Sequence, residues 1–311
     1  MAYEAVFPHE RGKRLPQIMP QKVPHRILAF TFWDAVLPSK RGRSRDGVGQ
    51  VRWSLWSNNM VHFFNPITEE HMNDLLARAI AAHGGLDRWN TFNKVTATVV
   101  AGGGLRPMKG LENDPNPRER TVTLHEETTF ISPFGQPDWR MAFTPDRVAI
   151  ETSTGAVVSE RSNPRAAFAG HVLETVWDPL HNAYWSGYTI WTYLTTPFLM
   201  AMPGFQVAEI APWQEDGELW RGLRARFPDA IASHSQEQDF YFGDDFLLRR
   251  HDYHLDVAGS VPVAQYVHDI VEADGFRFPT RRRAYVRGPG RKPIRDLLLI
   301  SLDLSHFRLT T

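Results

Sequence analysis

Asp274-Gly275 separates two β-rich runs, AQYVHDIVEA (residues 264–273) and FRFPTRRRAYV (residues 276–286). An Asp-Gly pair between such runs selects a type I′ turn, because both central residues need φ > 0 and the twist of that turn matches the twist of the strands. A two-residue turn then fixes the register outward. One face pairs Glu272 with Arg277, Ile270 with Pro279, His268 with Arg281 and Tyr266 with Arg283. The other pairs Val271 with Phe278 and Asp269 with Thr280. Pro279 cannot donate to the ladder, so it marks a bulge or an edge.

The same punctuation recurs. Glu215-Asp216-Gly217-Glu218 and Gly243-Asp244-Asp245 each divide a pair of strand-like runs, and Thr144-Pro145-Asp146 divides Trp139/Met141/Phe143 from Val148/Ile150. Further upstream Val95, Ala97 and Val99 alternate with Thr96 and Thr98, and one long strand is expected over about residues 120–131. The last strand, residues 296–308, points Leu298, Ile300, Leu302 and Leu304 one way and Ser301, Asp303 and Ser305 the other. Gly102-Gly103-Gly104 breaks the first strand. A phosphate cradle would require a helix opening on a Lys-Ser/Thr pair, which does not follow, so a flexible connection is expected.

Two helices interrupt this meander. Thr68 opens the first, with Glu69 and Glu70 in its first turn, an apolar stripe of Met72, Leu75, Leu76, Ala79 and Ile80, and a stop at Gly84-Gly85. Asp178-Pro179 opens the second, which carries Leu180, Tyr184, Tyr188, Trp191, Leu194 and Phe198 at three- and four-residue steps, broken by Pro197. The apolar loop PFLMAMPGF (residues 197–205) follows, with Met200 and Met202. Together these give an α+β, mostly β fold. The expected form is a curved antiparallel meander, a half-open barrel, with an N-terminal helix and a helical insert of about residues 178–205 over its concave face. Residues 67–311 form one domain in this reading.

Residues 1–66 differ from the rest. Prolines at 8, 16, 20, 24 and 38 and a basic cluster from Lys40 to Arg45 leave no sustained period, so an irregular or disordered arm is expected. Ten Lys/Arg face four Asp/Glu in residues 1–59, a balance ordinary for a solvated arm and also available to an acidic partner. Met60 and Met72 offer alternative starts. Over the whole chain Lys+Arg and Asp+Glu stand at 35 each, so no global field recruits nucleic acid or an anionic membrane. Cysteine is absent, which removes disulfides, thiolate nucleophiles and Cys-based metal sites. Without an apolar run long enough to span a bilayer, or the order of residues in a signal peptide, a soluble cytoplasmic protein is expected.

The segment Ala-Ala-His-Gly-Gly-Leu-Asp-Arg-Trp (residues 81–89), the Val/Thr strand next to it and the late hairpin Asp-Gly-Phe-Arg-Phe-Pro-Thr-Arg-Arg (residues 274–282) resemble proteins of the outer-membrane lipoprotein carrier (LolA-like) superfamily, in particular its uncharacterised soluble bacterial members. The resemblance covers roughly residues 68–309. It implies an open β-barrel with helices over its concave face and an apolar cavity for acyl chains or similar ligands. No signal peptide and a longer middle insert set this chain apart from the carriers.

Candidate chemistry is sparse. His251 and His254 point to opposite faces of a strand, so they cannot share a metal without a bulge, and no metal or cofactor is expected. No nucleophile elbow, zincin, dinucleotide-binding or Walker motif is present. Alternation sends Arg282 to one face and Arg281 and Arg283 to the other, so the triplet makes two sites at most. An Arg clamping a phosphate or carboxylate head group at the rim is one expectation, and a solvated face with cross-strand partners is the alternative. The expected partner is a hydrophobic small molecule, lipid-like or polyketide-like, held by Tyr184, Tyr188, Trp191, Phe198, Met200, Met202 and Arg282. The plainer alternative is that helix and loop simply plug the sheet. An isomerase, cyclase or hydrolase acting in the same cavity is the competing function, with Asp252, His254 or Tyr266 as acid or base.

Overall fold

The computed structural model describes residues 72–311. The arm of residues 1–66 and the helix start expected at Thr68 lie outside them. Helix α1 (Asp74–Ala82) begins instead at a side-chain cap: Asn73 accepts from the amides of Leu75 and Leu76 at 3.0 and 3.2 Å, which sets its first turn. Its stripe of Leu75, Leu76, Ala79 and Ile80 is buried as the periodicity requires. After Gly84-Gly85 a single turn, α2 (Leu86–Trp89), lays Trp89 flat on Phe198, with ring centroids 4.0 Å apart.

The chain enters the sheet at its middle. Strand β1 (Lys94–Gly102) is followed by the short helix α3 (Leu105–Met108) and then by β2 (Arg118–Thr123), β3 (Thr129–Ser132), β4 (Trp139–Thr144), β5 (Arg147–Thr152) and β6 (Val157–Ser162), each pairing antiparallel with the one before. The long strand expected over residues 120–131 is thus two strands. The reversal at residues 124–128 carries no Gly, Pro or Asn; it is fixed from afar by Glu127, which accepts from the Ala232 amide at 2.7 Å. At Gly102-Gly103-Gly104 the backbone passes close to the last strand: a Cβ on Gly103 would lie 2.4 Å from the Leu299 carbonyl oxygen. These glycines serve a close approach that hands the chain to α3.

From β6 the chain turns through Pro164–Phe168 and enters helix α4 (Pro179–Thr195). Asp178 caps it, accepting from His181 N at 2.8 Å while the His181 ring accepts from the Asp178 amide. Thr196 precedes Pro197 and is extended, so the helix stops at Thr195, and Phe198 lies beyond it in a 3-10 turn, Phe198–Ala201. The chain resumes at the opposite edge with β7 (Gln206–Glu215) and returns inward through β8 (Glu218–Arg226), β9 (Glu237–Phe242), β10 (Leu248–Leu255), β11 (Val261–Ala273), β12 (Phe276–Arg287) and β13 (Pro293–Thr310), which pairs with β1. The result is one unclosed, curved sheet in the order β6-β5-β4-β3-β2-β1-β13-β12-β11-β10-β9-β8-β7. The α+β, mostly β architecture read from the sequence is the one observed.

The 274–275 hairpin has both central residues at positive φ, Asp274 at 50° and Gly275 at 77°. Its register matches the expected pairs from Ala273/Phe276 through Tyr266/Arg283, except at Asp269. There a φ of 56° lifts the residue out of the ladder, and Thr280 Oγ1 donates to its carbonyl at 2.6 Å.

Helix α4 comes so close to β4 that a Cβ on Gly187 would lie 2.3 Å from Phe143 Cγ, inside the core. Gly187→Ala should therefore lower the thermal midpoint, with an overpacking cost of about 1–3 kcal/mol outweighing the helix-propensity gain of about 1 kcal/mol. A thermal melt of the variant at neutral pH checks this.

Candidate functional site

Two sides of α4 meet different surroundings. Tyr184, Tyr188 and Trp191 lie on one side, all at most 2% exposed; Trp191 Nε1 donates to the carbonyls of Thr123 and Glu126, each at 3.0 Å. Phe198 and Met200 are equally buried, and Met202 is half-buried at the core's margin. These expected ligand contacts are thus core side chains, apart from Tyr184, which also reaches a cleft of about 440 Å³ near Arg165. The other side of α4 presents Asn182, Ser186 and Thr189 at four- and three-residue steps.

Asn182 and Ser186 line a cavity of about 520 Å³ between α4, β1, β2, β3 and the segment around α3. Val99, Leu111, Ile131 and Phe134 supply apolar wall. Two guanidinium groups enter from different elements. Arg106, on α3, donates from Nη1 to Asn182 Oδ1 at 3.1 Å and from Nε and Nη2 to the Glu112 carbonyl at 2.9 and 2.8 Å. Arg120, on β2, stands on the same face as buried Val122 and Leu124. Its Nε is sealed from solvent and has no hydrogen-bond partner among the described residues. The nearby carboxylate of Asp114 is already bonded to Arg118. Burial, followed by repulsion from Arg106, pulls the Arg120 guanidinium down to about 10. Arg106 is lowered too, by its burial. The cavity therefore presents one guanidinium, that of Arg120, with a donor left unmet above an apolar wall.

Arg282 faces inward as alternation requires, but into a packed polar network. Its Nη1 donates to Gln265 Oε1 at 3.0 Å, its Nη2 to the Tyr193 carbonyl at 2.7 Å, and its Cζ lies 4.5 Å from the Tyr193 ring centre. The Tyr193 hydroxyl lies within hydrogen-bond distance of His234 Nε2 and Tyr253 Oη, at 3.1 and 3.0 Å. His251 bonds Gln238 at 2.6 Å on the same inner side. Burial, with Arg165 adding to it at His234 and with His234 and Arg282 at His251, holds both imidazoles well below the usual range.

Asp252, His254 and Tyr266 occupy the opposite, convex face. Asp252 accepts from Arg250 at 2.6 and 2.9 Å and from Arg287 at 3.0 Å, and Tyr266 donates to Glu215 at 2.8 Å. His254 is exposed there beside Asp252, in a cleft of about 500 Å³. None of the three lines the concave cavity.

Arg106, Arg120, Trp185 and Thr189 did not stand out from the sequence. Two signals were nonetheless there: Arg120 alternates with Val122 and Leu124, and Asn182, Ser186 and Thr189 form a polar stripe opposite the aromatic one.

No family model matches the chain, and no curated protein does. Several solved structures align with the chain. A LolA superfamily protein from Nitrosomonas europaea aligns at 9% identity and a TM-score of 0.43, covering 76% of this chain and 92% of that one. A putative outer membrane lipoprotein-sorting protein domain from Vibrio parahaemolyticus aligns at 9% identity and a TM-score of 0.47, covering 76% and 91%. A DUF1329 family protein from Desulfovibrio piger gives 12% identity and a TM-score of 0.39, covering 76% and 91%.

Two outcomes follow from these environments. Removing a half-buried cation whose Nε is sealed without a partner among the described residues should stabilise the ligand-free protein, so Arg120→Met is expected to raise the unfolding free energy by on the order of 1 kcal/mol, read as a higher urea midpoint. The buried imidazoles act on pH dependence. His83, at the end of α1, is held down to about 4 by burial, against the pull of its bond to the Ala79 carbonyl. An unfolded imidazole titrates near 6.5, so below that pH the unfolded chain takes up protons that the folded chain refuses. Stability should fall as pH drops, for His83 between about 6.5 and about 4. Urea titrations at neutral pH and at about pH 5 measure the slope, which a His83→Leu variant should reduce.

Proposed function

We propose that this protein holds a hydrophobic or amphipathic small molecule in the cavity between α4 and the concave face of the sheet. One observation supports this above the rest: a volume of about 520 Å³ combines an apolar wall with the guanidinium groups of Arg106 and Arg120, of which Arg120 Nε has no hydrogen-bond partner among the described residues. That size falls within the roughly 300–1,000 Å³ of small-molecule sites, where a few polar groups orient a mainly apolar ligand. The apolar part of the molecule lies along Val99, Leu111, Ile131 and Phe134, and its polar end turns toward Arg106 and Arg120. Chemistry in the same place would call for an acid–base pair. The carboxylates lining the cavity are Asp114, bonded to Arg118, and the exposed Glu112, so the lining favours binding over turnover.

Native mass spectrometry of protein purified from its own host should reveal a copurifying apolar molecule. After delipidation, adding that class of ligand at a hundred times its Kd should stabilise the fold by about 2.7 kcal/mol. Ala101→Phe, which places a ring in the cavity, should abolish that gain. A delipidated protein that neither retains nor is stabilised by any member of a panel of fatty acids, fatty alcohols and aromatic polyketides would overturn the proposal.

A further inference from the structure

Beside the main cavity lies a small enclosed void of about 20 Å³, reached past Arg106, Arg120 and Ser186, which line both spaces. Its other walls include Trp185, Thr189, Ile300 and Leu302. Three polar atoms on residues lining this void are buried without a partner among the described residues: Arg120 Nε, Trp185 Nε1 and Thr189 Oγ1. Trp185 and Thr189 are only 7% and 3% exposed. They belong to α4, one turn apart, and Arg120 to β2, so the helix and the sheet each contribute to one small space.

The chemistry of these atoms is one-sided. Arginine Nε and indole Nε1 can only donate, and a threonine hydroxyl can donate as well. Leaving such groups unpaired in a sealed site is destabilising, most of all for the charged one. What would satisfy all three is an oxygen that accepts from each, and the adjacent charges of Arg106 and Arg120 favour an oxygen carrying negative charge. Volume narrows the choice. A void of about 20 Å³ has room for roughly one oxygen-sized centre. A planar carboxylate can place one oxygen there and keep the other in the main cavity near Arg106. A phosphate or sulfate would leave two further charged oxygens in the main cavity, where Arg106 already donates to Asn182 and the Glu112 carbonyl, so the carboxylate is the better match.

We propose that Arg120, Trp185 and Thr189 form the head-group pocket of the site and that its ligand is a carboxylic acid bearing an apolar tail. The assignment rests on the binding function proposed above and adds the chemical class. Head group and tail have separate places: the carboxylate between β2 and α4, the tail along the apolar wall of the larger cavity.

The test compares three probes of equal chain length on the delipidated full-length protein by isothermal titration calorimetry: dodecanoate, dodecanol and dodecyl phosphate. Wild type should bind dodecanoate at least tenfold more tightly than either of the others. Arg120→Met should erase that preference while leaving dodecanol affinity within twofold, and Arg120→Lys, which keeps the charge but lacks Nε, should restore only part of it. Thr189→Val and Trp185→Phe, which keep most of each side chain's volume, should each reduce the preference by several-fold. Thermal melts identify any variant that does not fold, and the remaining ones carry the comparison. Equal binding of dodecanoate and dodecanol by wild type overturns the head-group pocket and leaves the cavity function intact. Tighter binding of dodecyl phosphate overturns the carboxylate assignment. Binding of none of the three overturns both.

Discussion

Everything inside this sheet follows from the crossing made by α4. The chain leaves the sheet at β6 and resumes at β7, the opposite edge, so the connection between them has to traverse the concave face. A helix in that position is enclosed on all sides: from Ala183 to Thr195 every residue is buried. Its polar groups must then find partners inside the protein. Several do so locally. The hydroxyls of Thr192, Thr195 and Thr196 donate back to the carbonyls of Tyr188, Trp191 and Thr192, and the Trp191 indole reaches the β2–β3 turn. Against that background the indole of Trp185 and the hydroxyl of Thr189 are conspicuous, because they face a space shared with a cation.

The space beneath the sheet is filled unevenly for a steric reason. Where α4 presents large aromatic rings, Tyr184, Tyr188 and Trp191, the interior closes around them. Where it presents Asn182 and Ser186, and β1 presents Ala101 and Gly102, side chains are too short to meet and cavities remain. A sequence scan for a ligand site is drawn to the aromatic stripe, yet aromatic side chains have the bulk to fill a core. Small polar residues on the opposite side of the helix were the better guide to open volume.

What could be foreseen from the sequence depended on the range of the forces involved. The Asp274-Gly275 register was legible because a type I′ turn is dictated by two adjacent residues, and the α4 start because Asp178, Pro179 and His181 are neighbours. Pro279 signalled an irregularity in this ladder, and it falls at Asp269, beside Pro279's partner Ile270, where the backbone turns to positive φ. The division of β2 from β3 was hidden because its turn is held by Glu127 reaching Ala232, more than a hundred residues away in the chain. Arg106 was hidden for a related reason. It is delivered by α3 after glycines whose role is to let the backbone pass Leu299, a contact between β1 and β13 that forms only in the finished sheet.

Two buried arginines and the half-buried Arg120 differ in how their charge is met. Arg250 on the convex face is fully enclosed, yet it bonds Asp252 through two nitrogens and also Glu215, Tyr266 and the Arg291 carbonyl, and it lies 4.5 Å from the centre of the Trp213 ring. Its charge is answered several times over, as expected of a side chain that pins strands together. Arg282 has a weaker set, an amide oxygen, a carbonyl and the face of Tyr193, with its Nε left without a partner among the described residues, inside a packed network that holds α4 against β11 and β12. Arg120 has Arg106 as a neighbour and a cavity in front of it. All three are drawn from one residue type and one sheet, so the difference lies in what surrounds each guanidinium. Folding alone accounts for the first two. At Arg120 a sealed Nε beside a second cation, with unpartnered donors of α4 on residues lining the same void, costs the protein stability that an acceptor in that space would offset.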